Sequence, residues 1–344
     1  MRSVLALAVL LTGCPTSEPE PDSLPIRDPL PDRVTSPCAP WAGDAFTPTL
    51  AETGCFPDGV PAAGLIPYSV RSPLWTDGAA KERWMVIPEG ETVGFSPDGA
   101  FDFPDGSVLL KSFLRAPGDP AEVRAMVRRN DGWAFGSWRL DDRDERVDAP
   151  IQAPVTMDDG TVVDWYFPDA AGCVTCHAGG ALGPVAAQLD TLYDYGDGER
   201  TQLADMARIG LFDDLDPRAD APLTDPSNLE ASLEERARSW LHGNCSHCHR
   251  PGGWTPPEMD MDLRIQTPFA EARVCGVPVQ FETAPEAGWW RFAPGDSGDS
   301  ALWGRPRSEG IMRMPPIGVS RLDPLAAELL PAWIDARTDC DDGS

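Results

Sequence analysis

From about residue 60 to 167, short apolar or aromatic runs are broken by turn residues, the pattern of consecutive strands. The runs are Glu82–Ile87, Ser107–Leu114, Glu122–Arg129, Gly132–Leu140 and Thr161–Phe167. Between them lie Pro-Asp-Gly at 97–99 and 104–106, Asn-Asp-Gly at 130–132 and Asp-Asp-Gly at 158–160. Asn-Asp-Gly between two such runs predicts a hairpin, and the series predicts an antiparallel sandwich or open barrel. After residue 168 the spacing becomes helical. Leu203, Met206 and Ile209 share one face of a helix expected over Glu199–Ile209. Asp225-Pro226-Ser227-Asn228 is a helix-start signal, followed by Leu229, Leu233, Ala237, Trp240 and Leu241 at helical spacing, with Gly243 as the expected stop. Asp323-Pro324 opens a last helix with Leu325, Leu329, Trp333 and Ile334 on one stripe. Pro331 inside that stripe is expected to kink or shorten it.

The first residues read differently. Met1-Arg2-Ser3 is a positive start, and Val4–Leu11 is an apolar run too short to span a bilayer. Leu11-Thr12-Gly13-Cys14 resembles a bacterial lipobox, which implies cleavage before Cys14 and lipid on that cysteine. Several acyl chains would anchor the chain stably to a membrane. The resemblance places the protein in the cell envelope, facing the periplasm, and Pro15 in place of an Asp points to the outer membrane. Residues 15–37, rich in Pro, Asp, Glu and Ser, read as an extended tether.

Two pentapeptides carry the chemistry: Cys173-Val174-Thr175-Cys176-His177 and Cys245-Ser246-His247-Cys248-His249. Both are C-x-x-C-H, the attachment pattern of c-type haem. Cysteines three apart lie one helical turn apart, so both thiols reach the vinyl groups of one haem. The histidine that follows offers its imidazole to the iron. His177 and His249 are two of the chain's four histidines, and the motifs take four of its nine cysteines. The competing reading is a zinc site, for which His247 is a spare ligand, but a zinc ribbon needs no His directly after both pairs. A thioredoxin-like reading lacks the alternating strands and helices of that fold.

With Cys14 assigned to lipid and four cysteines to haem, Cys38, Cys55, Cys275 and Cys340 remain, an even number in an exported chain. Three pairings are open, besides free buried thiols. The favoured one joins Cys38 to Cys55 at the start of the folded part and Cys275 to Cys340 near its end. The formal charge of −27 argues against nucleic acid as a partner. It suits steering of a basic redox partner, and equally a need for solubility. The charge cluster Asp141–Asp148 lacks the glycine and spacing of a calcium loop and reads as solvated.

A helix running into C-x-x-C-H, a loop-rich middle, a late methionine and a closing helix resemble the class I cytochrome c domain over residues 229–338. The resemblance implies that Trp240 and Trp333 lie near a helix crossing. It also makes a methionine of Ile311-Met312-Arg313-Met314-Pro315-Pro316-Ile317-Gly318 the sixth iron ligand, Met314 in preference to Met312. Over roughly 50–338 the chain is similar to bacterial di-haem c-type cytochromes with an N-terminal β domain. The residues that carry this are Leu65-Ile66-Pro67-Tyr68, Pro73–Ala79, Trp165-Tyr166-Phe167-Pro168, Ala181-Leu182-Gly183-Pro184 and Asn244–Gly253.

The expected fold is multidomain α+β: an antiparallel β domain followed by mainly α-helical cytochrome c-like haem domains. Residues 1–13 are the signal peptide, 14–37 the tether, 38–167 the β domain, 168–225 a first haem segment and 226–340 the class I-like domain. The first segment is too short for a complete cytochrome domain. Its sixth ligand is unassigned: Met206, more readily core filler, is one candidate, Met85, Met126 and Met157 are others, and an open position is the alternative.

No nucleophile constellation is apparent, and His242 reads as a residue of a helix end. The expected function is therefore electron transfer by two c-type haems between envelope redox proteins, such as a dehydrogenase or another cytochrome. The alternative is a peroxidase-like di-haem oxidoreductase using an open first haem. A third reading makes the β domain a binding module, with Trp75, Trp84, Trp133, Trp138 and Trp165 as core or binding face.

Overall fold

The computed structural model describes residues 33–341, except 98, 131, 142, 178–179, 196–197, 257 and 280–288. The segments expected to be a signal peptide and, with Cys14, most of a tether lie outside the described residues. A small hairpin of β1 (Trp41–Ala42) and β2 (Ala45–Phe46) precedes an open six-stranded antiparallel sheet. Its strands, in spatial and chain order, are β3 (Ile66–Pro67), β4 (Ala80–Val86), β5 (Val108–Ala116), β6 (Asp119–Arg129), β7 (Gly132–Arg139) and β8 (Glu145–Arg146). Two further hairpins follow: β9 (Ile151–Thr156) with β10 (Val162–Phe167), and β11 (Leu192–Asp194) with β12 (Glu199–Thr201). The β6–β7 hairpin forms at the Asn-Asp-Gly turn, with Arg129 opposite Gly132 and Asn130 at φ +46°.

The period of two sorts the sheet into two faces. One face carries Trp84, Val86, Val108, Leu110, Val123, Val127 and Trp138, and packs under the N-terminal segment with Phe46, Leu50, Cys38 and Cys55. The other face is divided. At one end Met85 and Leu109 join a core with Phe101, Leu203 and Met206. At the other end Phe113 packs with Val155, Trp165 and Phe167 of the second hairpin. Between these two apolar cores the face is open to a cavity.

The helices are α1 (Ala170–His177), α2 (Ala186–Leu189), α3 (Gln202–Arg208), α4 (Leu233–Asn244), α5 (Ala301–Gly304) and α6 (Pro324–Ala336). This corrects the expectation of mainly α-helical haem domains. Strand outweighs helix, about 24 % against 21 %, and among the described residues only α4 and α6, at 12 and 13 residues, exceed eight. The remaining haem-motif region is loop, because its Pro and Gly density breaks helices after a turn or two. The β region is antiparallel as expected, one open six-stranded sheet with separate two-stranded hairpins.

Helix α4 begins four residues later than its first apolar position suggested. Ser232 accepts from the Glu235 amide at 3.2 Å while the Glu235 carboxylate accepts from the Ser232 amide at 2.9 Å, a reciprocal cap. Leu229 consequently lies outside the helix and is exposed. Pro331 does not end α6, which buries Leu329, Leu330, Trp333 and Ile334. Trp240 and Trp333 share the core between α4 and α6. Their indole nitrogens donate to Asp323 at 2.7 Å and to Glu234 at 2.5 Å.

Both favoured disulfides form, Cys38–Cys55 and Cys275–Cys340, with sequence separations of 17 and 65. In the chain-entropy model such loops are worth about 3 and about 4 kcal/mol. No helix of the described residues is long and apolar enough to cross a membrane.

Candidate functional site

The first motif occupies α1. Asp169 starts that helix, its carboxylate accepting from the Gly172 amide at 2.8 Å and its carbonyl from Cys173 at 3.1 Å. The helix lies against β7, where the His177 ring meets Phe135 at 5.6 Å. His177 Nδ1 is 3.1 Å from the Gly180 carbonyl. An acceptor there requires the proton on Nδ1 and leaves the Nε2 lone pair free. Gly180 turns back through φ +96°, a backbone conformation that a residue with a side chain rarely adopts.

The second motif follows from α4. The Cys245 amide donates to Leu241 at 2.9 Å, and His249 donates to Cys245 at 3.0 Å, so the backbone continues as a tight turn. Gly243 does not stop the helix. Its role is close approach: a Cβ there would sit 2.5 Å from the Ser72 carbonyl oxygen. Ser72 in turn donates its hydroxyl to the Ser239 carbonyl at 2.8 Å. The Asn244 side chain accepts from the Trp75 amide at 2.7 Å. The second motif is thereby seated directly on the β region.

The two motifs meet. Ligand atoms of Cys176, His247 and Cys248 all lie within 4.8 Å of one another. The four motif cysteines are free thiols. Burial pushes Cys173 up to about 11 and Cys245 up to about 12. The hydrogen bond between Cys176 and Cys248 holds Cys176 low and Cys248 high, and His247 adds a second hydrogen bond to Cys176. Burial lowers His177 and His249 to about 4, so both rings are neutral. His249 Nδ1 is buried with no partner.

A cavity of about 250 Å³ lies between α1, the open middle of the sheet and the end of α4. Cys173, Cys176, His177, Met126, Phe135 and His242 are among its lining. A smaller one, about 70 Å³, is lined by Cys245, Cys248, His249, Trp240 and Met314. Met314 thus shares a cavity with His249, whereas Met312 is not among the lining residues.

The methionine loop is held from two sides. Arg313 donates to the Ser308, Val319 and Ser320 carbonyls at 3.2, 3.3 and 2.8 Å. Asp77, buried at φ +50°, accepts from the Ser320 amide at 2.8 Å, from its hydroxyl at 2.9 Å and from the Arg321 amide at 2.8 Å. Trp75 adds a bond from its indole to the Arg321 carbonyl at 3.0 Å. The segment Pro73–Ala79 is thus a clamp between the second motif and the methionine loop. The sequence reading singles out Pro73–Ala79 as a segment but gives Asp77 no role of its own.

For the first motif the candidate methionines separate. Met206 is fully buried in the apolar core with Leu203 and Leu211, and Met85 and Met157 are likewise core residues. Met206 thus packs in the core, the reading preferred for it over that of a ligand, and is not among the residues that line the cavity. Met126 lines the cavity. So does His242, whose Nδ1 accepts from the Ile265 amide at 3.0 Å. Its ring is neutral, held down to about 4 by burial and by Arg264, Arg238 and Arg250. The proton therefore sits on Nε2, which has no hydrogen-bond partner among the described residues. The sequence reading of His242 as a helix-end residue missed this, since the cavity brings it to a motif 69 positions earlier only through the fold.

Comparison with family models, with curated proteins and with solved structures returns no match.

Proposed function

We propose that this chain is an exported di-haem c-type cytochrome that passes electrons between redox proteins of the cell envelope. The observation that carries the reading is the contact between two C-x-x-C-H motifs whose thiols alone stay free among the described cysteines, the others being paired. Haem fits both motifs on this chain's own residues. Each pair of thiols sits on one helical or near-helical turn, and each histidine is neutral. His177 is fixed by Gly180 with Nε2 available, the arrangement expected of an iron-ligating imidazole. His249 brings an unpartnered buried nitrogen and faces the Met314 cavity.

Bound, the two haems would supply a pair of one-electron carriers. The protein holds their attachment points side by side at Cys176 and Cys248, which keeps the gap between carriers short. Cys14 would add the membrane attachment, and a dehydrogenase or another cytochrome would be the partner.

The protein, expressed with export and haem maturation intact, is expected to carry two haems per chain with low-spin spectra that peroxide and carbon monoxide leave unchanged. Recovery of zinc and no haem, drawn to Cys176, His247 and Cys248, would overturn the reading.

One observation favours a second reading, a peroxidase-like di-haem oxidoreductase. His242 presents an Nε2–H to the first cavity, and an imidazole so placed can donate a hydrogen bond to a small bound ligand. This reading expects a high-spin, ligand-reactive first haem. It further expects His242→Leu to lower peroxide turnover by about 100-fold or more with haem content unchanged. Two unreactive low-spin haems would remove it.

A further inference from the structure

The sequence has 55 acidic residues against 28 Lys and Arg. The larger cavity reverses that balance. Its described lining contains no Asp or Glu, but does contain Arg83, Lys111, Arg124, Arg250 and Arg264.

Three of these cations form a row across the sheet. Arg83 of β4 lies opposite Lys111 of β5, and Lys111 lies opposite Arg124 of β6. Directly opposed residues share a face with Cβ atoms about 4.5–5.5 Å apart, and like charges there repel. Arg124 is balanced by Glu122, which accepts from its Nε at 2.7 Å and its Nη2 at 2.8 Å. Lys111 is not balanced. Among the described residues it has no hydrogen bond or ion pair, only the Phe113 ring 4.9 Å from its Nζ. Burial and the neighbouring cations push its pKa well below the ordinary lysine range. Lys81 and Lys111 are the chain's only lysines, and both lie on this sheet face.

A half-buried ammonium beside guanidinium groups is costly, and the group sheds its proton unless an anion lies against it. A lysine at this place therefore answers to an occupant whose negative charge would hold it protonated. The rest of the lining defines that occupant. Met126, Phe135, Phe113 and Tyr166 offer apolar and aromatic surface, and Cys176 is near enough to act on Lys111 and Arg124. The cavity suits an apolar body that carries carboxylates and is tethered at α1.

We propose that the Arg83–Lys111–Arg124 row is a clamp for the propionate carboxylates of the haem attached at Cys173 and Cys176. The proposal rests on the di-haem reading. It makes the sheet face, rather than a second helical domain, the wall that completes the first haem site. Lys111 is a positioning residue in this scheme, setting the orientation and potential of the first haem without touching its iron.

The test is Lys111→Met in the full, matured chain, followed by redox titration with the second haem as internal control. Losing a cation beside the propionates favours the oxidised, more positive iron. The first haem's midpoint potential is expected to become more negative, the second haem's to stay in place, and Lys111→Arg to restore the first. Lys111→Gln replaces the methionine variant if that one fails to accumulate. An unchanged first potential in the neutral variant would overturn the clamp while leaving two haems in the wild type. A wild type without haem would instead remove the reading beneath it. A first potential in the wild type that responds to millimolar acetate, and no longer does so in Lys111→Met, would also overturn the proposal, because the row would then be holding a free anion.

Discussion

Replacing Met314 by leucine is expected to abolish the sulfur–iron absorption signature of the second haem and to lower its reduction potential. A thioether opposite histidine raises that potential, and its loss should cost a sizeable part of the roughly 0.8 V over which axial ligation acts. The fold should survive, since Met-to-Leu exchange conserves volume and usually costs less than about 1.5 kcal/mol. The loop is in any case held by Arg313 and Asp77 rather than by the methionine itself. Near-infrared absorption and potentiometry on the purified variant report both effects. A signature that persists would assign the ligand to another sulfur, with Met312 of the turn Gly310–Met312 the nearest in sequence.

The strands were legible because their apolar runs and turn residues are local signals. Glu82–Ile87, Ser107–Leu114, Glu122–Arg129, Gly132–Leu140 and Thr161–Phe167 each fall on an observed strand within a few residues. Counting cysteines leaves three pairings open, and the one favoured by position along the chain is the one that forms, with the motif cysteines free. What failed was long-range or depended on competing signals. The start of α4 was read from Asp225-Pro226, whereas the Ser232–Glu235 cap sets it. Gly243 was read as a stop because glycine often ends helices, yet its place is fixed by Ser72, distant in sequence. Helical spacing around Met206 was real, but spacing alone does not say whether a face meets a core or a cavity.

The cationic row was the least legible feature. Arg83, Lys111 and Arg124 become neighbours only through the β4–β5–β6 register. The trace left in the sequence is a lysine inside the run Val108–Leu114, in a chain that has just one other. On the di-haem proposal, the same register would account for the short first segment, since a haem walled by the sheet would not need the helices of a complete cytochrome domain.

Glu122 is the point at which that wall is most vulnerable, and Glu122→Ala is expected to cost about 3–5 kcal/mol of stability. The carboxylate is fully buried. Besides both Arg124 bonds it accepts from the Ser137 hydroxyl at 2.6 Å and the Trp165 indole at 2.9 Å. Alanine would strand the Arg124 guanidinium beside Lys111 and leave two more donors unpaired, and an unpaired buried charge is the expensive part of such a change. Glu122→Gln keeps an acceptor oxygen but loses the charge, so it should fall between. Lys111→Met should soften the loss, since Arg124 then has one fewer cation opposite; the two substitutions are in register and should not be additive. Urea unfolding of the wild type, Glu122→Ala, Glu122→Gln, Lys111→Met and the double variant Glu122→Ala/Lys111→Met measures each term. A loss below about 1 kcal/mol, the range of exposed pairs such as Arg218–Asp216, would mean that solvent screens the site. Strict additivity would mean that Lys111 and Arg124 do not act on one another, and the row would then have no electrostatic unity to offer an anion.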